Sequence, residues 1–439
     1  MLNLPMAHIH FIGIGGIGVS ALAKYHLSLG DTVSGSDLTS SEIITELARM
    51  GAAIVVGPHV KTNIPPTTAK VIYTAAVSVK NPEFKEAKRR KLHVQSYAEA
   101  VGEITKNYKT VTISGSHGKS TTTALTALVL EEGYFDPTVI VGTKIKEFKG
   151  SNFRAGRGSH LVLEADEWNK SFLNYSPDIA VVTNIDAEHL DTYGTVEKVE
   201  DAFREYLASV PRGGKIIANR DDERLRRVAK KFGKKVVWYS LKDAARNTVQ
   251  RVLKISGEHN VSNALAAMAV GRTLGVSEPD ILRALARYTG AWRRFEFKGL
   301  LNGAFLFSDY GHHPTEIKAT IAATREQFPL RRVVVVYQPH QYQRLQHLWD
   351  DFLGAFDLAD RVVLLPVYDV AGRETKKAKH AVNSEKLAHA LLARGKDTLH
   401  MDTFGEVKEY LHTAARPGDT VLFMGAGDIY DLTQDLAKN

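Results

Sequence analysis

The residues best placed to do chemistry are a lysine and a run of hydroxyls that follow two glycines. In Gly115-Ser116-His117-Gly118-Lys119-Ser120-Thr121 the glycines let backbone approach phosphate oxygens closely. An ammonium at Lys119 can sit on β- and γ-phosphates, and the hydroxyl of Ser120 can ligate Mg²⁺. The spacing is G-x-x-G-K-S, which lacks the first glycine of the full phosphate loop; Ile113 stands there. Residues 110–113 form a β-branched run with the composition of a buried strand. The residues after the turn read as a helix, with Leu125 and Leu128 on one face and Gly133 as its stop. Strand, glycine turn and helix together make a phosphate cradle, because a helix start offers N–H groups and a partial positive charge. An ordinary strand–helix turn would leave Lys119 and the hydroxyls of Ser120 to Thr123 without a purpose.

Other strand ends carry polar groups too. Gly13-Ile14-Gly15-Gly16-Ile17-Gly18 follows a short strand and opens a helix, and a strand over 31–36 runs into Asp37. A dinucleotide fold places its ribose contact there. On these residues alone two readings stand: a nicotinamide-dependent oxidoreductase domain, or a glycine turn that only packs helix on strand. The strand over 160–163 runs into Glu164-Ala165-Asp166-Glu167. Beside a phosphate loop this is where a further Mg²⁺ contact belongs, although charged strand ends are common. After the strand over 178–182 comes Thr183-Asn184-Ile185-Asp186-Ala187-Glu188-His189. His189 alone is equally a metal ligand or a surface histidine. Asn260 and Asn263 share one side of the first turn of a helix over 261–274, and capping is the ordinary role for Asn260. In the last third, Asp309-Tyr310-Gly311-His312-His313-Pro314, Gln338-Pro339-His340-Gln341-Tyr342-Gln343-Arg344, Tyr368 and Gly425-Ala426-Gly427-Asp428 each follow a strand. Open α/β sheets bind ligands at that edge.

The elements that must position these groups alternate between strand and helix, which predicts an α/β fold in three α/β domains. Their expected bounds are residues 1–103 (Rossmann-like), 104–290 (central, with the phosphate cradle) and 291–439 (Rossmann-like). A length of 439 residues accommodates them. Cysteine is absent, which excludes disulfides and thiolate metal sites and fits a cytoplasmic address. Residues 1–5 carry no signal-peptide pattern, and no apolar run is long enough to span a bilayer. The net charge of +8 suits anionic partners without separating nucleotides from nucleic acid. The Lys88-Arg89-Arg90-Lys91 run reads as a solvated helix face.

Two nucleotide-type turns in one chain do not fit a dehydrogenase. The ordered runs GIGGIGVSALA, VSGSD, GSHGKSTTT, EADE, TNIDAEHLDTYG, GEHNVSNALAA, RRFE, DYGHHPTE and GAGDI resemble the Mur ligases, ATP-dependent enzymes that add amino acids to UDP-muramoyl precursors. The alanine-adding branch of the family is the nearest. The resemblance implies that Gly15, Gly16, Gly18, Ser20 and Asp37 hold the UDP of UDP-N-acetylmuramate. It implies that Gly115, Ser116, His117, Gly118, Lys119, Ser120 and Thr121 hold ATP phosphates, and that His259, Asn260 and Asn263 hold adenine. Arg294 and Asp309 would reach the same nucleotide. Ser120 and Glu164 would bind one Mg²⁺ and His189 a second. Tyr310, His312 and Arg344 would hold L-alanine. Lys119, Glu164, His189 and Arg294 are the implied catalytic set. The resemblance implies no nucleic-acid partner and no membrane insertion, and the sequence leaves the oligomeric state open. The chain departs from the family pattern in four places. Trp168-Asn169-Lys170 replaces a Ser-Asp continuation, Gln341 stands for an arginine, Ser308 stands for an aspartate, and the span from Asn219 to Gly257 is short enough to predict missing strands. The alternatives are a sister ligase that attaches another amino acid or a preformed peptide, a nicotinamide-dependent oxidoreductase, and an idle binding protein.

Overall fold

The computed structural model describes residues 7–369 and 376–438. Its strands build three sheets with helices between most successive strands, the three-domain α/β architecture. The first sheet contains β1 (His8–Ile12), β2 (Thr32–Asp37), β3 (Ala53–Val56), β4 (Lys70–Tyr73) and β5 (His93–Ser96), all parallel in the order β3-β2-β1-β4-β5. Strand order reverses at β1, so the crevice beyond its carboxyl end is the switch point of this sheet. The Gly13 turn lies at that end.

The second sheet contains β6 (Lys109–Ser114), β7 (Thr138–Ile145), β8 (Ser151–Arg154), β9 (His160–Glu164), β10 (Ile179–Val182), β11 (Lys215–Asn219) and β12 (Val236–Tyr239). Their order is β12-β11-β10-β6-β9-β7-β8, and only the β7–β8 pair is antiparallel. The order reverses at β6, and the phosphate cradle follows β6 directly. The span after Asn219 contains one strand, β12, with the helices Glu223–Ala229 and Arg246–Val252. The helix after the cradle runs Lys119–Glu132 and is buried from Ser120 through Leu130, not on one face. It packs against β6, β7 and β9 on one side and the helix Glu278–Arg287 on the other, so both faces need small or apolar residues.

The third sheet contains β13 (Glu296–Leu301), β14 (Ala304–Asp309), β15 (Arg332–Tyr337), β16 (Arg361–Leu364), β17 (Thr398–His400) and β18 (Asp419–Met424), in the order β13-β14-β18-β15-β16-β17. Only β13, at the edge, is antiparallel. Central strands buried on both faces read as continuous apolar runs. Val333 to Tyr337 is such a run, buried throughout. Leu306, Val334, Val336, Val363, Val421 and Phe423 from these strands join Leu432 and Leu436 of the last helix, Ile429–Ala437, in one core cluster.

The chain groups into two compact units. One holds the first two sheets. The other holds the third sheet with residues 189–195 and 253–262. In the first unit the helix Ile17–Ser28 lies on the β7–β8 hairpin. Asn152 donates to the carbonyl of Ile17 (2.5 Å) and to Ser20 Oγ (2.9 Å). Lys24, only 2% exposed, pairs with Glu46 at 2.6 Å and donates to Ser151 at 3.1 Å. Among the described residues no helix is long and apolar enough to cross a membrane.

A buried carboxylate braces the first sheet. Glu83 accepts from Ser36 Oγ (2.7 Å) and meets His10 Nε2 (3.1 Å) on one oxygen. On the other it accepts from Asn63 (2.7 Å) and meets His59 Nδ1 (2.9 Å). Burial opposes its charge, but the bonds from His10, Ser36, Asn63 and His59 prevail and hold the carboxyl at about 2, below the usual 4.5. A depressed folded value means this stability is complete above pH 4.5 and drains away as pH falls towards 2. Glu83→Ala leaves the fully buried His10 Nε2 without its partner, takes the acceptor from Asn63, and leaves the Ser36 hydroxyl only His59 Nδ1 at 3.2 Å. Its unfolding free energy in urea is expected to drop by about 3 kcal/mol or more, from roughly 1–3 kcal/mol per unsatisfied buried group. Glu83→Gln should flatten the acid limb of stability against pH. An unchanged limb would mean that Glu83 carries no such charge.

Candidate functional site

Two glycines shape the cradle. Gly115 has φ +129° and Gly118 φ +81°, conformations that L side chains rarely adopt. A Cβ on Gly115 would collide with Thr183, and one on Gly118 with the Asn263 side chain, so Asn263 of the helix Glu258–Thr273 closes over the loop. The loop is braced by the run after β10. Asn184 accepts from the His117 N–H at 2.8 Å and donates to its carbonyl at 3.0 Å, and Thr183 Oγ1 donates to the same carbonyl at 2.6 Å. The Asp186 N–H donates to Ser116 Oγ (2.8 Å), and His117 Nε2 meets the Asp186 carboxylate (3.0 Å). These side chains hold the loop open without using the N–H groups at the helix start. Thr121 is buried in the first turn of that helix.

Lys119 folds back into its own loop. Its Nζ donates to the carbonyls of Gly115 (2.8 Å) and Ser116 (3.2 Å) and pairs with Glu167 at 2.9 Å. Burial opposes the charge, but the carboxylates of Glu167 and Asp166 outweigh it and hold the ammonium above the lysine range. Ser120 Oγ donates to Glu164 Oε1 at 3.0 Å, and the Gly142 N–H donates to Oε2 at 2.7 Å. Burial pushes the Glu164 carboxyl up, against the Gly142 hydrogen bond, the Lys119 charge and Ser120. A hydroxyl and a carboxylate sharing a crowded strand end are hard oxygen donors suited to Mg²⁺, which would also offset the cost of the buried charge.

At the first turn, the N–H groups of Gly13 and Ile14 both donate to the Ser36 carbonyl (2.8 and 3.1 Å), and Gly15 N–H donates to Asp37 Oδ2 at 2.9 Å. Asp37 therefore buttresses the glycine turn. Gly16 is the residue before the helix and carries extended backbone. Ser20 is fully buried, donates to the Ile17 carbonyl and accepts from Asn152, so its hydroxyl ties helix to hairpin.

The second unit gathers the other expected residues. Asp309, at the end of β14, accepts from Gly311 N–H (2.7 Å) and Phe295 N–H (2.8 Å). Burial pushes its carboxyl up, with Arg294 and those two N–H groups pulling it back. Arg294 pairs with Glu316 at 3.2 Å and lies over the Tyr310 ring at 5.4 Å. The rings of Tyr310 and His312 stand 5.4 Å apart, His312 and His340 5.5 Å, and His340 stacks on Tyr368 at 5.5 Å. Arg344 donates to the His340 carbonyl at 3.2 Å. Gln341 has φ +72°. His259 opens the helix Glu258–Thr273 and feels the charges of Arg294 and Glu316. Asn260 does not cap this helix. The positive φ of Gly257 starts the turn earlier, and the Asn260 amide donates back to the Ser256 carbonyl at 2.7 Å. His189, also in this unit, has φ +55° and precedes the short helix Leu190–Tyr193.

Sequence reasoning missed four of the groups that shape these sites: Glu167 under Lys119, Asn184 under His117, Glu316 beside Arg294, and Arg293. Arg293 is buried, donates to the carbonyls of Gly425 (2.7 Å) and Gly427 (3.0 Å) and lies over Tyr310 and Tyr430. Glu167 and Arg293 adjoin residues that were singled out, so adjacency was the available signal.

Three family models match the chain in order. They are the Mur ligase family catalytic domain over residues 8–109, the Mur ligase middle domain over 113–271, and the Mur ligase glutamate ligase domain over 293–427. The UDP-N-acetylmuramate–L-alanine ligase of Syntrophus aciditrophicus is 39% identical over 98% of this chain and 92% of its own length. That of Desulforamulus reducens is 38% identical over 98% and 97%. Among solved structures, the UDP-N-acetylmuramate-alanine ligase MurC of Thermotoga maritima superposes with a TM-score of 0.81 at 27% identity, covering 98% of each chain. A murein peptide ligase of Psychrobacter arcticus shares the fold, with a TM-score of 0.72 at 22% identity and 98% coverage of each chain.

Proposed function

Since the chain belongs to the Mur ligase family, we propose that it joins L-alanine to the lactyl carboxylate of UDP-N-acetylmuramate, with ATP converted to ADP and phosphate. The step belongs to peptidoglycan precursor synthesis, and a cytoplasmic site of action fits its substrates. Full-length similarity to alanine ligases, at 39% identity, carries this reading. The phosphate cradle after β6 supports it chemically.

The lactyl carboxylate attacks the γ-phosphorus of ATP. ADP leaves, and an acyl phosphate remains. The amine of L-alanine, having lost a proton, adds to the acyl carbon; a tetrahedral intermediate expels phosphate and leaves an amide. A carboxylate approaching a polyphosphate is repelled by it, so the site must supply positive charge. Lys119 swings from Glu167 and the loop carbonyls onto the β- and γ-phosphates, where the N–H groups at the helix N-terminus cradle them and Gly115, Ser116, His117, Gly118 and Thr121 line the loop. Ser120 and Glu164 would hold Mg²⁺, and His189 would supply a ligand for a second ion. Bound Mg²⁺ neutralises charge on the phosphoryl oxygens. Arg294 adds charge at the nucleotide, which Asp309, His259, Asn260 and Asn263 hold at its other end. Gly15, Gly16, Gly18 and Asp37 shape the UDP site, with Ser20 behind them. Tyr310, His312 and Arg344 receive the amino acid, along the aromatic rim that includes His340.

The deciding assay is phosphate release with UDP-N-acetylmuramate and ATP, screened over L-alanine, glycine, L-serine and a preformed L-Ala-γ-D-Glu-diaminopimelate peptide. L-alanine should give the fastest turnover, with strict dependence on the sugar nucleotide. Preference for the peptide, or silence with every acceptor, would overturn the proposal.

A further inference from the structure

The last glycine of the first turn, Gly18, makes room for a side chain of this protein. A Cβ on Gly18 would lie 3.0 Å from Cζ and 3.1 Å from the hydroxyl oxygen of Tyr97. Tyr97 opens the helix Tyr97–Thr105, whose start is fixed by a capping box of Ser96 and Glu99. That box sets where the ring enters. The phenol is also close enough to the β9 strand end for Glu164 and Asp166 to act on it electrostatically. Burial, then those two carboxylates, raise its pKa, so the hydroxyl stays protonated and can donate. Among the described residues nothing accepts from it or donates to it. The phenol is half-buried between the glycine turn and the acidic strand end, with its hydroxyl left open to a ligand.

We propose that Tyr97 is a binding residue for the acyl donor, its hydroxyl donating to the lactyl carboxylate of the sugar nucleotide. This rests on the ligase reading above and specifies a contact that reading leaves open. The chemistry favours the carboxylate over the diphosphate. The donor's carboxylate must come near Glu164 and Asp166, whose charges repel it. A neutral donor there orients the nucleophile without drawing the γ-phosphate away from Lys119. Ring packing against Gly18 sets the hydroxyl's height over the turn.

The test compares wild type, Tyr97→Phe and Tyr97→Leu by calorimetric binding of UDP-N-acetylmuramate and of UDP-N-acetylglucosamine, which lacks the lactyl group. Steady-state kinetics on each protein complete the comparison. Tyr97→Phe keeps the ring on Gly18 and should bind UDP-N-acetylmuramate about 10-fold more weakly, the loss of one hydrogen bond to a charged group. Its KM for that substrate should rise, with KM for ATP and affinity for UDP-N-acetylglucosamine unchanged. Tyr97→Leu, which also loses the ring, should weaken both sugar nucleotides. Equal affinity of Tyr97→Phe and wild type for UDP-N-acetylmuramate, or an equal loss on both ligands, overturns the assignment to the carboxylate. Wild-type turnover with L-alanine in the same experiment keeps a failure here distinct from a failure of the ligase reading.

Discussion

Lys119→Ala is expected to lower the rate of amide formation by about 10³-fold or more, the upper range for losing one preorganised charge at a developing oxyanion. Binding of UDP-N-acetylmuramate should be unchanged, because Gly13 to Gly18 sit on another sheet. The ion pair complicates the experiment in a useful way. Glu167 is 0% exposed and Lys119 15%, so removing the lysine takes the paired cation away from a buried carboxylate. Breaking a buried pair costs roughly 3–5 kcal/mol, and partial exposure of Lys119 argues for the lower end. The single variant should therefore unfold at lower urea. Adding Glu167→Gln should recover most of that stability and none of the activity. Stability and rate then separate, which a merely structural lysine would not allow. Calorimetry, urea unfolding and phosphate release on the three proteins give the answer, and turnover retained in Lys119→Ala would remove the lysine from the chemistry.

The sequence made some of this arrangement legible and hid the rest for physical reasons. Strand ends were readable because buried parallel strands announce themselves as β-branched runs. Residues 332–337 form one strand as expected, and the carboxylates after residue 163 do sit beside the phosphate cradle. The cradle helix was misjudged as one-faced because periodicity does not show a second layer; Thr122, Thr123 and Thr126 are as buried as Leu125. Long-range partners were invisible. Nothing local tells that Asn184 props the loop at His117, that Asn263 closes on Gly118, or that Tyr97 fills the space left by Gly18. Asn260 looked like a cap, and the positive φ of Gly257, which moves the helix start, has no signature beyond the glycine itself. Strand β13 was missed because an exposed edge keeps Phe297 and Leu300 in solvent and breaks the expected pattern.

Glu164→Gln should separate stability from activity in the opposite sense to Lys119→Ala. The glutamine can still accept from the Gly142 N–H and bond Ser120, so local geometry survives. What it loses is charge. Because burial raises the Glu164 carboxyl above its usual range, the folded state holds that proton more tightly than the unfolded chain. Stability is then complete at low pH and falls as pH rises through the raised value. The neutral variant escapes that loss, so without ligand at neutral pH its Tm should exceed the wild-type Tm. Its rate should fall on the order of 10³-fold, since a bound metal ion supplies several kcal/mol of charge stabilisation in phosphoryl transfer. Titrating Mg²⁺ with a non-hydrolysable ATP analogue should then reverse the ranking. Wild type should gain Tm by mass action if Glu164 completes a Mg²⁺ site, and the variant should gain little. A variant less stable than wild type without ligand would show that Glu164 is held for the fold. A variant with the full Mg²⁺-dependent gain and full turnover would place the metal elsewhere.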